Sequence, residues 1–541
     1  MRPRTAESVA PRANDWPRCV KSLLAAPRAV EKGAAQRAGL PVERRRRRDS
    51  VRVVPDADSQ DPHAHPELKR SARLGMVVLG VRSALQNIVI LLANVYLARW
   101  LDRADFGIFG ILQFALSFFR LVSDTGLAAA LVQQKETPDE TELSTIWWLQ
   151  LGLGVAVTAA SFVAARFLPL VWHSMPPQAA WLLPGLAIGL LFTMLQSIPF
   201  LILEREVRFG WVGTIEFFGT LFFYGTALLL AARHAGASAL VCASVGQAAL
   251  VSIVTTVVQP WKPKLRFRFD SIRRLLKFGA AFQGGNAVGF LNTAVTPLVV
   301  GAGLGADALG VIQFAENTAF FPSVIVTIVR RVYFPFLSRL QSNRAAFQHE
   351  FEKAVVLCAV PTFFFFGLFA GAGHAVVSII YGAKWIPAVP SLVVYSFGFC
   401  FTFFSWIGDA AMAALDDMGR LLRIKVIATF VSWIPTLFAI WWVPSPLSFA
   451  LGYLVQLVIT PLMIYSAIRA RLPSLRIFPR LGGVASAGAA VALLGRAVVE
   501  RLNAVLPLGA FIVAALVLFV GVACAIDADL RKTARTLLSK L

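Results

Sequence analysis

Apolar runs of about twenty residues recur from Leu74 to the C-terminus, and they leave this chain few folds to adopt. As an α-helix, about twenty residues cross the ~30 Å hydrocarbon layer of a bilayer. No water reaches that depth, so every backbone N–H and C=O must pair within the spanning segment or with its neighbours. The runs show no strand alternation, which leaves helices. About fourteen spans can be placed, centred near Gln86, Phe119, Gly154, Leu191, Phe222, Ser244, Val288, Ala319, Phe366, Cys400, Phe430, Leu457, Gly488 and Ala515. With 57% hydrophobic and 15% charged residues, the 541-residue chain carries more apolar side chain than a soluble protein of its size buries. The expected fold class is an all-α polytopic membrane protein, with several helices kinked at internal Pro.

A formal net charge of +22 would point to nucleic acid only if the cations formed a basic face on a soluble module. They lie instead in short connections between apolar runs, where they report orientation. Lys135, Arg205, Arg208, the stretches 262–277, 330–353, 420–425 and 469–480, and the tail 531–540 hold about 26 of them. The alternate connections, with Arg99, Arg103, Arg166, Arg233, Lys384, Arg496 and Arg501, hold about 7. Both termini are therefore expected in the cytoplasm, and the short outward loops hold no further domain. Cys19, Cys242, Cys358, Cys400 and Cys524 have neither paired nor metal-ligand spacing, and His63 and His65 have no further ligand nearby. No disulfide framework and no metal site are expected. Residues 1–70, with the run Arg44 to Arg48, have the composition of a disordered basic tail. A polybasic tether to anionic lipid and a start codon assigned too early are the other readings of that segment.

The turn Leu101-Asp-Arg-Ala-Asp-Phe-Gly107-Ile returns 203 residues later as Leu304-Gly-Ala-Asp-Ala-Leu-Gly310-Val. Each copy joins the first and second span of a six-span set. An even number of spans per copy makes the repeats parallel, related by an axis along the membrane normal. The expected organisation is a six-helix bundle over 71–260, a basic linker over 261–277, a second six-helix bundle over 278–470, and two more helices over 471–541. In such two-bundle transporters the substrate lies between the halves near mid-membrane.

Four polar residues of the second span, Gln113, Ser117, Arg120 and Asp124, share one helix face. An ionised side chain at mid-membrane costs at least about 2.5–3.5 kcal/mol, so such residues usually face a protein interior or a water-filled cavity. Two readings stand for Arg120 and Asp124: a cavity lining, or an i,i+4 ion pair that joins helices. The first spans carry similar stripes, with Arg82, Gln86, Asn87 and Asn94 in one copy and Gln283, Asn286 and Asn292 in the other. Their amides suit either a cavity or interhelical hydrogen bonds, worth about 0.6–2 kcal/mol each. Guanidinium is always charged and matches phosphate oxygens in pairs, so Arg82 and Arg120 on adjacent helices would suit an anionic head group such as a diphosphate. At the repeat offset Gln113 corresponds to Glu316, a carboxylate with no cation one helical turn away. Glu316 is therefore a candidate to exchange a proton or Na⁺, and Asp124 and Asp409, acids within or near apolar runs, are the other candidates. The chain has no Gly-Lys-Ser/Thr phosphate loop, no His-Glu-x-x-His and no Gly-x-Ser-x-Gly. Transport without a cofactor, driven by an ion gradient or by consumption of the product, is expected in place of enzyme chemistry.

Several short motifs resemble one known family. They are Ala98-Arg99-Trp100-Leu101, Asp105-Phe106-Gly107-Ile108-Phe109, Asp124-x-Gly126-Leu127, Glu204-Arg205-Glu206, Leu276-Lys277-Phe278-Gly279, Phe334-Pro335-x-Leu337-Ser338 and Tyr381-Gly382-x-Lys384-Trp385. In this order they look like the polysaccharide-transporter flippases, of the superfamily that also holds multidrug and toxin extruders. The resemblance covers roughly 74–541. It implies translocation of undecaprenyl-diphosphate-linked oligosaccharide across the bacterial inner membrane for exopolysaccharide or O-antigen synthesis. It also implies work beside a polymerase, a ligase and export machinery; a co-polymerase is a further expected partner, and a monomer is expected. Substrate-binding roles fall on Arg82, Arg120, Asn87, Gln113 and Asn286. A drug extruder and a peptidoglycan-precursor flippase are the rival transporters. The extruder would favour an acidic, aromatic cavity. A membrane glycosyltransferase or polymerase would need catalytic acids or a domain in outward loops that are too short here.

Overall fold

The computed structural model describes residues 82, 85–123, 126, 127, 131, 138–206, 208–268, 283–341, 343–475, 477–499, 504–526 and 531. Among them all regular structure is helical, with no strand. After a first helix over 85–100, the long elements before the linker are α1 (Arg103–Ser123), α2 (Glu140–Val171), α3 (Leu182–Leu195), α4 (Phe209–Ala231) and α5 (Ala237–Val258). A helix over 283–303 follows, then α6 (Ala306–Ala319), α7 (Ser323–Arg339), α8 (Arg344–Val376) and α9 (Val389–Ala414). The chain closes with α10 (Met418–Trp442), α11 (Pro446–Arg471), α12 (Phe478–Val498) and α13 (Val505–Ile526). Among the described residues, 11 helices are long and apolar enough to cross a membrane, or 12 if α6 and α7, bent by 49°, make one span. The tail 1–70, Asp124 and the linker beyond residue 268 lie outside the described residues.

Helix starts follow local capping chemistry. Asn343 Oδ1 accepts from the Ala346 N–H at 3.1 Å to open α8, and Ser445 Oγ accepts from the Ser448 N–H at 3.1 Å to open α11. Two other helices take their caps from distant residues. Asp105 Oδ1 accepts from the Ala237 N–H at 2.9 Å, and Ser174 Oγ accepts from the Ala306 N–H at 2.8 Å. These long-range caps orient α5 on α1 and α6 on the end of α2.

The two copies of the repeated turn meet, and α1 crosses α6 backbone to backbone. A Cβ on Gly107 would overlap the Ala306 carbonyl, and a Cβ on Gly310 would overlap the Arg103 carbonyl. Residues 103 and 306 are themselves 203 apart, so the two contacts are the same contact made in both directions. Ile111, Leu112, Leu309 and Ile312 are fully buried around the crossing, and Arg103 pairs with Asp307 at 3.0 Å.

A second reciprocal contact closes the same end. The Trp172 indole N–H donates to the Pro297 carbonyl at 2.9 Å, and the Trp385 indole N–H donates to the Ala98 carbonyl at 2.8 Å. Trp172 follows α2 and donates to the helix over 283–303, and Trp385 follows α8 and donates to the helix over 85–100. Lys384 Nζ adds bonds to the carbonyls of Arg99 at 3.0 Å and Leu101 at 2.6 Å, and Arg99 donates back to the Ile380 carbonyl at 2.8 Å. A helix C-terminus carries about half a negative charge, which these cations complement.

Candidate functional site

The site is built from α1 outward. Ile111 and Leu112, fully buried, anchor the helix in the core, while Gln113, Leu116 and Arg120 follow at i,i+3 and i,i+4 spacing along a neighbouring face. Ser117 Oγ donates to the Gln113 carbonyl at 2.7 Å, so its hydroxyl is taken up locally. Gln113 and Arg120 reach a cavity of about 270 Å³ between α1, α3 and α5. Thr193 and Gln196 line it from the end of α3, and Ser244 and Gln247 from α5. Among the described residues no carboxylate lines it. Gln196 Oε1 is buried with no hydrogen-bond partner. The cavity thus offers one permanent cation, several amides and hydroxyls, and an unused acceptor. Phosphate oxygens fit the first, and sugar hydroxyls fit the rest.

The structure brings Gln113 and Arg120 together but sends the other substrate candidates elsewhere. The Arg82 guanidinium lies against the backbone of Gly213 on α4, with its Nε buried and unpartnered. It does not share the Arg120 cavity. The stripe on 85–100 joins helices: Gln86 donates to Thr220 Oγ1 at 2.9 Å and Asn94 to the Tyr224 hydroxyl at 3.2 Å. Asn87 lies half-buried on the same helix, outside the cavity lining. Asn286 is exposed and donates to Gln283 Oε1 at 2.6 Å, while Gln283 Nε2 donates to the Leu121 carbonyl at 2.9 Å. That pair places the helix over 283–303 against the end of α1, one residue past Arg120.

The acids separate in the same way. Asp409 pairs with Lys425 at 2.7 Å, so it carries its own counter-charge. Glu316 lies on α6, which packs against α9 and α11, the helices that carry Tyr395 and Tyr453. Tyr395 is fully buried, its hydroxyl has no hydrogen-bond partner, and its ring lies 6.0 Å from that of Tyr453. Neither tyrosine stood out in the sequence, because each sits in an apolar run. Thr193, Gln196, Ser244 and Gln247 were missed in the sequence as well, although their i,i+3 spacing in apolar runs is a signal of the kind that marked Gln113 and Arg120. Among the described residues no cluster of His, Cys, Asp or Glu could hold a metal ion.

A family model described as polysaccharide biosynthesis protein matches residues 96–390, which takes in the repeat turns, the Arg120 cavity and Glu316. The chain belongs to this polysaccharide biosynthesis family. Among its relatives is the lipopolysaccharide biosynthesis protein WzxC of Escherichia coli, 25% identical over 401 residues, covering 71% of this chain and 78% of WzxC. Another is the teichuronic acid biosynthesis protein TuaB of Bacillus subtilis, 24% identical and covering 51% of this chain and 57% of TuaB. The fold matches the lipid II flippase MurJ in an inward closed conformation, with a TM-score of 0.62 at 14% identity, over 82% of this chain and 98% of that one. It also matches an inward-facing multidrug transporter of the MATE family, with a TM-score of 0.57 at 11% identity, over 72% and 95%. This member of the polysaccharide biosynthesis family is thus a multi-pass helical membrane protein with the fold of lipid flippases and drug extruders.

Proposed function

We propose that this protein flips oligosaccharide linked to undecaprenyl diphosphate between the leaflets of the bacterial inner membrane, for exopolysaccharide or O-antigen synthesis. The observation that carries the reading is the Arg120 cavity, where among the described residues one fixed cation stands with amides and hydroxyls and no carboxylate. A drug extruder that takes cations would want the opposite charge there. The family, and relatives named for lipopolysaccharide and teichuronic acid biosynthesis, support a surface-glycan precursor as cargo. At about 270 Å³ the cavity is smaller than the ~300–1,000 Å³ of ordinary ligand pockets. It takes a diphosphate and the first sugar, and leaves the outer sugars to the space between the halves.

In this reading fourteen spans form two six-helix bundles and two further helices, with both termini cytoplasmic, and the protein works as a monomer beside a polymerase and co-polymerase. The reciprocal contacts of Trp172 and Trp385 then close the outward end. Alternating access requires both to break, so Trp172→Phe and Trp385→Phe, which keep the ring and delete the donor, shift the population toward outward-open. Each lost neutral hydrogen bond is worth about 0.5–1.5 kcal/mol. Labelling of a cysteine placed at Thr296 by an impermeant thiol reagent added outside whole cells is expected to rise in each single variant and further in the double one. Equal labelling in all four proteins would remove the latch from the mechanism.

Ion coupling falls on Glu316, with Asp124 as a second candidate, because Asp409 is committed to Lys425. Glu316→Gln is expected to abolish the response of flipping to an imposed proton or Na⁺ gradient in proteoliposomes, while Asp409→Asn leaves that response in place. A gradient response lost with Asp409→Asn and kept with Glu316→Gln reverses the assignment. The whole reading is tested by surface-glycan analysis of cells carrying Arg120 variants, set out in the Discussion.

A further inference from the structure

We propose that the start of the linker, Trp261 to Arg268, is a docking strap for an anionic phospholipid of the surrounding bilayer. The sequence Trp-Lys-Pro-Lys-Leu-Arg-Phe-Arg alternates an apolar residue with a cation at every step. The strap bends at Leu265; on either side of that bend, alternate side chains of a non-helical chain point to opposite sides, so the pattern sets apolar residues against cations.

The strap is held in register on the opening turns of α2. The Lys264 N–H donates to Ser144 Oγ at 3.1 Å, and the Arg268 N–H donates to Thr145 Oγ1 at 3.1 Å. The Trp148 indole donates to the Lys264 carbonyl at 3.0 Å, and Lys264 pairs with Glu140. That pair uses one of the four cations. Lys262, Arg266 and Arg268 are exposed, and no acid pairs with them among the described residues.

The apolar residues are equally unsatisfied. Trp261 and Pro263 border a groove of about 440 Å³ whose walls include Trp147, Phe192, Ile253 and Val257. Further along, Leu265 is 90% exposed and Phe267 is 56% exposed. Large exposed apolar side chains interleaved with free cations suit the boundary between head groups and acyl chains, where tryptophans also collect. An acyl chain fits the groove, and a phosphate fits Lys262 at its mouth, with Arg266 and Arg268 beside it. A zwitterionic lipid would satisfy the apolar residues alone. Charge complementarity therefore selects an anionic phospholipid, independently of which lipid-linked glycan the protein carries.

The test uses the full-length protein purified in detergent, with phosphatidylglycerol or phosphatidylcholine added. Phosphatidylglycerol is expected to raise the thermal unfolding midpoint and to remain bound in native mass spectrometry, whereas phosphatidylcholine does neither. In the variant Lys262→Gln/Arg266→Gln/Arg268→Gln, affinity for phosphatidylglycerol is expected to fall roughly tenfold or more, with the midpoint in detergent alone unchanged. Should that variant unfold early, Leu265→Ser/Phe267→Ser is measured in its place, and it is expected to weaken binding of the same lipid. Equal effects of the two lipids, or full phosphatidylglycerol binding by the charge variant, would overturn the proposal. Displacement of phosphatidylglycerol by undecaprenyl diphosphate would overturn it too, because the strap would then belong to the substrate path.

Discussion

Arg120→Ala is expected to cut surface glycan and flipping by about tenfold to a hundredfold while leaving the protein at its normal level in the membrane. A hydrogen bond to a charged group contributes about 1.5–3 kcal/mol, and each 1.4 kcal/mol is a factor of ten. Arg120 makes no ion pair among the described residues and stands exposed at the cavity, so its loss removes little of the fold. Arg120→Lys should restore part of the activity, because ammonium supplies the charge without the planar fork that grips two phosphate oxygens. Gln247→Ala and Gln196→Ala should weaken flipping less, as each loses neutral contacts only. Glycan electrophoresis alongside immunoblotting of the membrane fraction reads all four variants. Unchanged glycan in Arg120→Ala, at equal protein level, would take the cavity out of the transport path.

The largest effect on stability is expected at the crossing of α1 and α6. Gly107→Leu and Gly310→Leu each drive a side chain into the backbone of the opposing helix, at the Ala306 and Arg103 carbonyls respectively. Overpacking typically costs 1–3 kcal/mol. Here the obstacle is main chain held by long-range caps, so the cost belongs at the upper end, about 3 kcal/mol, or roughly a 150-fold loss in the ratio of folded to unfolded protein. Gly225→Leu is the matched control, since nothing lies within 4 Å of a Cβ there. Recovery of monodisperse protein after a heating series should drop for both crossing variants and stay at the wild-type value for the control. If Gly107→Leu survives heating as well as Gly225→Leu does, the crossing is not what holds these helices together.

How much of this was legible in the sequence depended on what each pattern measures. The length of an apolar run measures the bilayer, so the all-helical membrane fold followed from it directly. The face shared by Gln113 and Arg120 also carried over, because helical spacing along one element survives packing. Spacing says nothing about which neighbour a face turns toward. Arg82 and Arg120 were expected to share a cavity, yet Arg82 turned to α4 and lies against Gly213. For the same reason the amide stripe on 85–100 became hydrogen bonds to Thr220 and Tyr224. Asp409 is a candidate for ion exchange in the sequence, but α10 brings Lys425 to it and pairs it. Trp172 gave no signal, since it follows α2 in a short connection where no periodicity applies. Trp385 was visible only as part of a family motif, without the partner that gives it a purpose.

The reciprocity at the repeat turns has a consequence for how far the two copies must match. Gly107 meets residue 306 as Gly310 meets residue 103, and Trp172 caps the second copy as Trp385 caps the first. This is the pattern of an isologous interface, in which one surface binds a second example of itself. One glycine, one helix start and one indole donor on each side hold every part of the closure. Two copies in one chain need match only where they meet. One α1-type helix could then keep Arg120 where its counterpart keeps Ser323, and carry Gln113 where its counterpart carries Glu316. An exact two-fold would have given both sides the same charge.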